Sequence, residues 1–263
     1  MVISTTSIRS SDGSIVTIEC HDRLESTVRL AREYARNGYP DRYAVVSEYD
    51  TEKAEDKRGI FISLILRPSF FPSQAGLLSS LSSVAFVTAL EGYTAKRLGI
   101  GWVSNVYCEG KAFGGVTIEG KLDSFLAYEY IIVNFSASLS DEDFPPRMTD
   151  LIKKVFESNS TTITSIIAQS VLSKFFTLYA NMKNTAKFMN VYRKKFVLHG
   201  VKIKKIQDGK KTACKVLSVN NSDCSLMVEN KDGTVEKIIT PASVIIPKSV
   251  RLPKKQIKEK SLG

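Results

Sequence analysis

Apolar positions along the chain keep one of two periods, and the switches between them divide it into elements. SIVTIEC (residues 14–20) alternates, which predicts a first strand. HDRLESTVRLAREYARNG (21–38) follows a helical period, with Leu24, Val28, Ala31 and Ala35 on one side. Ser26 and Thr27 lie near its start, where hydroxyls cap, and Gly38 follows its end. YAVVSEY (43–49) and GIFISLILRP (59–68) read as strands separated by the charged stretch DTEKAEDKR. Ser73 to Leu98 predicts one long apolar-rich helix, whose Ser, Ala and Gly residues suit close packing on a sheet. GWVSNVY, GGVTIEG and LAYEYIIVNFSA give three further strands. FPPRMTDLIKKVFES and TTITSIIAQSVLSKFFTLYANM predict two more helices, with a short helical connection after them.

Beyond residue 190 the pattern changes to short strands, VKIKKI, KTACKVLSV, CSLMVEN and VEKIITPASVII, punctuated by the turn signals DGK, NNSD and KDG. Such spacing predicts a small antiparallel barrel. The expected architecture is a mixed α/β domain over 1–190, a β-barrel over 191–247 and a solvated basic tail over 248–263.

Charge sharpens that division. Val191 to Gly263 holds 17 Lys and Arg against 6 Asp and Glu, whereas the first 190 residues hold 20 against 21. The basicity of the chain therefore sits in its last quarter and points to an anionic partner. Arg193, Lys194, Lys195, Lys202, Lys204, Lys205, Lys210 and Lys211 are the candidate cations, with Tyr192 and Phe196 interleaved for base stacking. Exposed barrel strands that carry lysine for solubility and edge protection are the plainer explanation.

The remaining composition excludes several classes. No apolar run approaches the roughly 20 residues that span a bilayer, and the opening lacks the apolar segment of a secretory signal. That opening carries Arg9 and no acidic residue before Asp12, which also fits a short organellar transit segment. The expected location is intracellular, with cytoplasm and mitochondrion both open. Cys20, Cys108, Cys214 and Cys224 form no CxxC pair, so free thiols are expected and a zinc site is not. His21 and His199 lack a recognisable partner and read as surface or turn residues. No metal ligand set is identified.

Several motifs occur in an order that resembles the biotin protein ligases. They are the pair Ser26-Thr27, FISLILRP, GWVSNVY, GKAFGGV, Val133-Asn134 and the final CSLMVENKDGTVEKIITPASVII. The similarity runs from about Ile15 to Ile246 and implies a class II ligase-like mixed sheet followed by an SH3-like barrel. Members of that family adenylate biotin with ATP and magnesium, then transfer it to a lysine of a carrier domain. The resemblance makes Ser26, Thr27, Trp102, Gly114, Gly115 and Asn134 biotin-pocket candidates. In an active protein, Lys111 and Arg58 would be the catalytic cations.

The family's chemical positions are changed in this chain. Its glycine- and arginine-rich loop, GRGRRGR, is here DTEKAEDKRG, which places Glu52, Glu55 and Asp56 where phosphate would sit. Lys53, Lys57 and Arg58 offset that charge only in part. Its KWPND turn reads GWVSN, so Gly101 replaces an ammonium and Asn105 a carboxylate that helps hold magnesium. The second lysine of GKKLGG is Ala112, the glycines of GxGxN are Tyr130 and Ile132, and Val28 stands where an asparagine is usual. The sequence therefore suggests a non-catalytic relative with no cofactor, kept for binding or scaffolding in a protein or ribonucleoprotein assembly such as a ribosome. RNA, an acidic carrier domain and a second copy of the chain are the open partners, and a membrane is not. A divergent ligase or acyltransferase using biotin, ATP and magnesium is the alternative.

Overall fold

The computed structural model describes residues 2–51, 57–70, 72–94, 96–103, 105–138, 163–207 and 209–251. The large sheet is built from β1 (Val2–Arg9), β2 (Ile15–Leu24), β3 (Tyr43–Asp50), β4 (Lys57–Leu66), β5 (Leu98–Ile100), β6 (Asn105–Cys108), β7 (Lys111–Leu122) and β8 (Tyr128–Ser138). They lie in the order β1-β2-β3-β4-β8-β7-β6-β5. Only β2 and β3 run parallel, joined through helix α1 (Thr27–Arg36); the other neighbours are antiparallel.

Strand alternation gives the sheet two different faces. Ile60, Ile62, Leu64 and Leu66 of β4, with Ile131, Val133 and Phe135 of β8, point into the main core. Helices α2 (Ala75–Leu90) and α3 (Ile163–Tyr179) cover that side. Eleven of the sixteen α2 residues are buried, several of them serines. Ser82 and Thr88 satisfy their hydroxyls on the carbonyls one turn back, Leu78 at 2.7 Å and Val84 at 2.7 Å. This lets Ser82 and Thr88 sit in a packed helix with their donors satisfied, whereas the buried Ser80 hydroxyl has no such partner.

The other face carries α1, whose Ala31 and Ala35 let its backbone lie close over Val45, Ile65 and Ile132. Arg67, just past β4, clamps the end of that helix. Its guanidinium donates to Ala35 O at 2.8 Å, Tyr39 O at 2.9 Å and Glu129 O at 3.1 Å. A fixed cation at a helix C-terminus takes up carbonyls that have no intrahelical partner.

Helix α4 (Ala186–Lys195) leads into β9 (Lys202–Gln207), β10 (Lys210–Val219), β11 (Leu226–Glu229), β12 (Val235–Ile238) and β13 (Val244–Ile245). These five strands are antiparallel, in the order β12-β11-β10-β9-β13. Ile203, Cys214, Val216, Leu226 and Val228 from this sheet belong to the same apolar core as α2 and α3. Across the seam, Trp102 Nε1 donates to Cys224 O at 2.8 Å and the Tyr192 hydroxyl to Gly101 O at 2.7 Å. Both side chains are essentially inaccessible. Position 190 falls inside α4, and the core is continuous across it.

Several sequence expectations need correction. Val2–Arg9 forms an edge strand, β1, paired with β2, and the sequence reading had no strand there. His21–Leu24 extends β2 where a helix was expected, because α1 begins only after the cap at Ser26. The long helix over 73–98 stops at Leu90, where Gly92 and a turn follow, and Leu98–Ile100 becomes β5. GWVSNVY opens as a turn and is strand only from Asn105, the start of β6, whereas VEKIITPASVII is interrupted at Pro241–Ser243 and yields both β12 and β13. Lys248–Val250, expected within a solvated tail, lies on the β6–β7 hairpin: Ala112 N–H donates to Lys248 O and Val250 N–H to Gly110 O, both at 2.7 Å. The helix expected at 144–158 lies outside the described residues.

Trp102 is the only tryptophan and sits in the seam. Its fluorescence and the far-UV circular dichroism should therefore give coincident urea transitions, as one shared core requires. Trp102→Phe, which orphans Cys224 O, should lower stability by about 1–3 kcal/mol with the denaturant slope unchanged.

Candidate ligand pocket

The site expected from the sequence lies on the α1 face, where strand register aligns polar side chains in rows. One row runs Glu19, Val45, Ser63, Asn134, Thr117 across β2, β3, β4, β8 and β7. The next runs His21, Ser47, Phe61, Ser136, Gly115 across the same strands. The N-terminus of α1 abuts the first row: Ser63 Oγ lies 2.9 Å from Thr27 Oγ1 and 3.1 Å from Asn134 Oδ1. Asn134 Nδ2 in turn donates to Thr117 Oγ1 at 3.4 Å. The Asn134 carbonyl needs a donor, so the Ser63 proton goes there and the Thr27 hydroxyl donates to Ser63. Three pocket candidates thus converge. Thr27 and Asn134 join one hydrogen-bonded floor, and Ser26 beside them caps α1 by accepting from Arg29 N–H at 3.5 Å.

A second cluster was missed in the sequence. Glu19 and His21 are both buried, with Glu19 Oε1 2.7 Å from His21 Nε2. The Tyr34 hydroxyl donates to Glu19 Oε1 at 3.0 Å and that of Tyr43 to Oε2 at 2.5 Å. His21 is therefore a core residue with a carboxylate partner, which corrects the surface assignment. Its position two residues from Glu19 was the available signal, since a strand puts i and i+2 on one face. Burial opposes ionisation of Glu19, but hydrogen bonds from Tyr43, His21 and Tyr34 outweigh it and hold the carboxyl below its ordinary range. Burial, followed by the Glu19 charge, pushes the Tyr34 hydroxyl up to about 12 and raises Tyr43 as well. Ser63 was missed too; a lone serine among apolar residues of a buried strand was its signal.

The other candidates lie elsewhere. Trp102 serves the seam. Gly114 packs so closely on β8 that a Cβ there would sit 2.2 Å from Ser136 O, so its absence of side chain is a packing requirement. Gly115 is opposite Ser136 in the second row. Lys111 opens β7 beside Ser249, six residues from Thr117, roughly 20 Å along a strand. The side chains of Lys57 and Arg58, and residues 52–56 with Glu52, Lys53, Glu55 and Asp56, lie outside the described residues. Among the described residues no group of three or more His, Cys, Asp and Glu side chains is placed to hold a metal ion.

Two cations of the C-terminal quarter are committed to ion pairs and others are exposed. Lys195 is paired with Glu91 and Lys205 with Glu236. Arg193 Nη2 donates to Asn190 Oδ1 at 2.5 Å, and Lys194 is exposed at the end of α4. Lys202, Lys204, Lys210 and Lys211 are exposed on the β9–β10 hairpin. Tyr192 is fully buried and stacks on Phe196 with ring centroids 5.9 Å apart, so this pair is not an open stacking platform.

The Glu19 cluster sets an acid limit. An unconstrained glutamate titrates near about pH 4.3. Stability from a depressed carboxyl is complete above that value and is lost as pH falls through the lower folded one. Urea midpoints should thus fall below about pH 4 in the wild type and change less in Glu19→Gln. At neutral pH that variant should be less stable by about 1–3 kcal/mol.

No protein-family model matches the chain. It is 27% identical over 141 residues to the bifunctional ligase/repressor BirA of Bacillus subtilis, covering 50% of this chain and 43% of that protein. The chain spans about half the length of the curated relatives it matches. The apo biotin protein ligase from Aquifex aeolicus shares its fold with a TM-score of 0.66 and 17% identity, over 88% of this chain and 99% of the other. The same ligase in complex with biotin and ATP gives 0.59 and 18%, over 87% and 97%. A biotin protein ligase-like protein of unknown function from Silicibacter sp. gives 0.60 and 15%, over 85% and 94%. Motif order, sequence similarity and fold agree: the chain is similar in sequence to BirA over about half its length and shares the fold of the biotin protein ligases.

Proposed function

We propose that this protein is a non-catalytic member of the ligase-like group that works as a binding or scaffold subunit in a protein or ribonucleoprotein assembly. The observation that carries this reading is the state of the turn from Gly101 to Asn105. Adenylation develops negative charge on phosphate and on the reacting carboxylate, and it needs cations aimed there. The position corresponding to the family's lysine is Gly101. Its N–H donates to Asn105 O at 2.8 Å and its carbonyl accepts from Tyr192. A Cβ on Gly101 would lie 2.8 Å from the Tyr107 ring, which is itself fixed by a hydrogen bond to Pro247 O.

The backbone differs as well. Val103 has φ +64°, whereas the proline of the family pattern holds φ near −65°. A β-branched residue at positive φ is a costly conformation, sustained here by packing against the seam. The neighbouring Asn105 offers an amide where magnesium would need a carboxylate. Gly101 and Asn105 supply neither the ammonium nor the carboxylate that ATP and magnesium would need at this turn. The Thr27, Ser63, Asn134 and Thr117 floor is neutral, rich in donors and acceptors, and suited to an uncharged polar ligand such as a ureido ring. It supports binding without activation.

Calorimetry with biotin, then with biotin, ATP and magnesium, tests this reading. ATP and magnesium should add no affinity to whatever heat biotin gives, and no pyrophosphate should be released. ATP-dependent tightening with pyrophosphate release would instead establish a divergent ligase that adenylates biotin for transfer to a lysine. Gly101→Lys should not create that activity, and overpacking against Tyr107 should lower stability by about 1–3 kcal/mol.

A further inference from the structure

Strand register sorts the lysines of the C-terminal sheet onto two faces. Residues directly opposite one another in an antiparallel ladder point the same way, and successive residues along a strand point to opposite sides. Ile203 and Cys214 are opposite partners and both belong to the apolar core, so their side of the sheet is the inner one. Lys205, Thr212 and Lys210 share that side, where Lys205 is paired with Glu236. The alternate residues point outward: Lys202 opposite Lys215, Lys204 opposite Ala213, and Lys211 opposite Ile206. All four of these outward lysines are exposed.

The outward group is costly as it stands. Lys202 and Lys215 are like charges directly across a ladder, an arrangement that destabilises a sheet. Lys215 has Glu229 of the neighbouring strand at 3.9 Å. Lys202, Lys204 and Lys211 have no ion-pair partner among the described residues, whereas Lys195, Lys205 and Lys237 each have one. Edge protection does not account for them: β9 and β10 are interior strands, flanked by β13 and β11, and it is outer strands that need charge to deter pairing. Ile206, Ala213 and Ile245 fill the positions between the lysines, and this face carries neither an aromatic ring nor an arginine. Protein interfaces are anchored by those residues and are poor in lysine, so the surface lacks what a protein partner grips. Unstacked bases would find no platform on it. A phosphodiester backbone needs only cations in fixed positions, and lysines two residues apart on a strand sit about 7 Å apart.

We propose that the outer face of the β9–β10 hairpin binds the phosphate backbone of a base-paired nucleic acid through Lys202, Lys204, Lys211 and Lys215. Binding is set by charge and shape and is indifferent to sequence, and the phosphates relieve the repulsion between Lys202 and Lys215. The proposal rests on the scaffold reading and names the class of its partner. Pyrophosphate release tests the absence of catalysis and duplex binding tests this face, so either can fail alone.

The probes are a fluorescein-labelled RNA duplex and a DNA duplex of the same sequence, each of about 16 base pairs, titrated by anisotropy against the full chain. Unlabelled duplex, oligouridylate, polyglutamate and phosphatidylserine vesicles serve as competitors. A duplex should bind saturably, with log affinity falling linearly with log salt, and the tighter of the two identifies the source of the backbone. Lys204→Gln should weaken binding and make the salt slope shallower by about one. Changing Lys202, Lys204 and Lys211 together to Gln should lower affinity by about tenfold or more at fixed salt. That triple variant should melt no lower than the wild type, because it relieves the like-charge pair, so its loss of binding is not a loss of fold. Lys210→Gln, on the other side of the same hairpin, should leave the slope unchanged. No binding of either duplex, unaltered affinity in the triple variant, an equal loss in Lys210→Gln, or stronger competition by oligouridylate, polyglutamate or vesicles than by unlabelled duplex would each overturn the proposal.

Discussion

The turn from Gly101 to Val103 is pinned at the junction of the two sheets by two hydrogen bonds, one from the Trp102 indole to Cys224 O and one from the Tyr192 hydroxyl of α4 to Gly101 O. Both are buried, where an unmade hydrogen bond is expensive, so the turn from Gly101 to Val103 cannot move without exposing or orphaning polar groups. Gly101 and Trp102 are thereby committed to the junction between the large sheet, the last helix and the C-terminal sheet. Gly101 contributes its carbonyl to the seam, and its missing side chain leaves space for the Tyr107 ring. The role these positions have in the fold is structural.

The opposite region of the sheet shows a different balance. There α1 rests on Ala31 and Ala35, close enough for Thr27 at its first turn to reach the strand serine Ser63. A floor of hydroxyls and one amide results, each satisfied by its neighbour, so it stays ordered without a ligand. Glu19 and His21 extend the polar region toward the edge strands, with two tyrosine hydroxyls completing the carboxylate's shell.

Most of this architecture could be read from periodicity. Strands such as GIFISLILRP and LAYEYIIVNFSA are buried on both sides and long enough to be unmistakable, and Ser26 marked the start of α1 correctly as its cap. What failed was local. VISTTSIR alternates weakly, and only its pairing with β2 makes it a strand. The end of α2 and the start of β5 share apolar residues that a window cannot assign, and the turn at Gly92 decides between them. Thr27 and Asn134 were named through the family resemblance. Glu19, His21 and Ser63 each left a signal within its own strand, but their partners Tyr34, Tyr43, Thr27 and Asn134 come from other elements, which no single segment contains. The expected stacking role of Tyr192 was lost for a similar reason, since the side chain points inward across the seam.

The two fastenings of α1 respond differently to protons. On its β2 side the helix is tied through Tyr34 to a carboxylate that acid neutralises. On its β4 side Arg67 grips the last carbonyls with a guanidinium that keeps its charge at any pH a protein meets. Acidification therefore loosens one flank and leaves the other fixed.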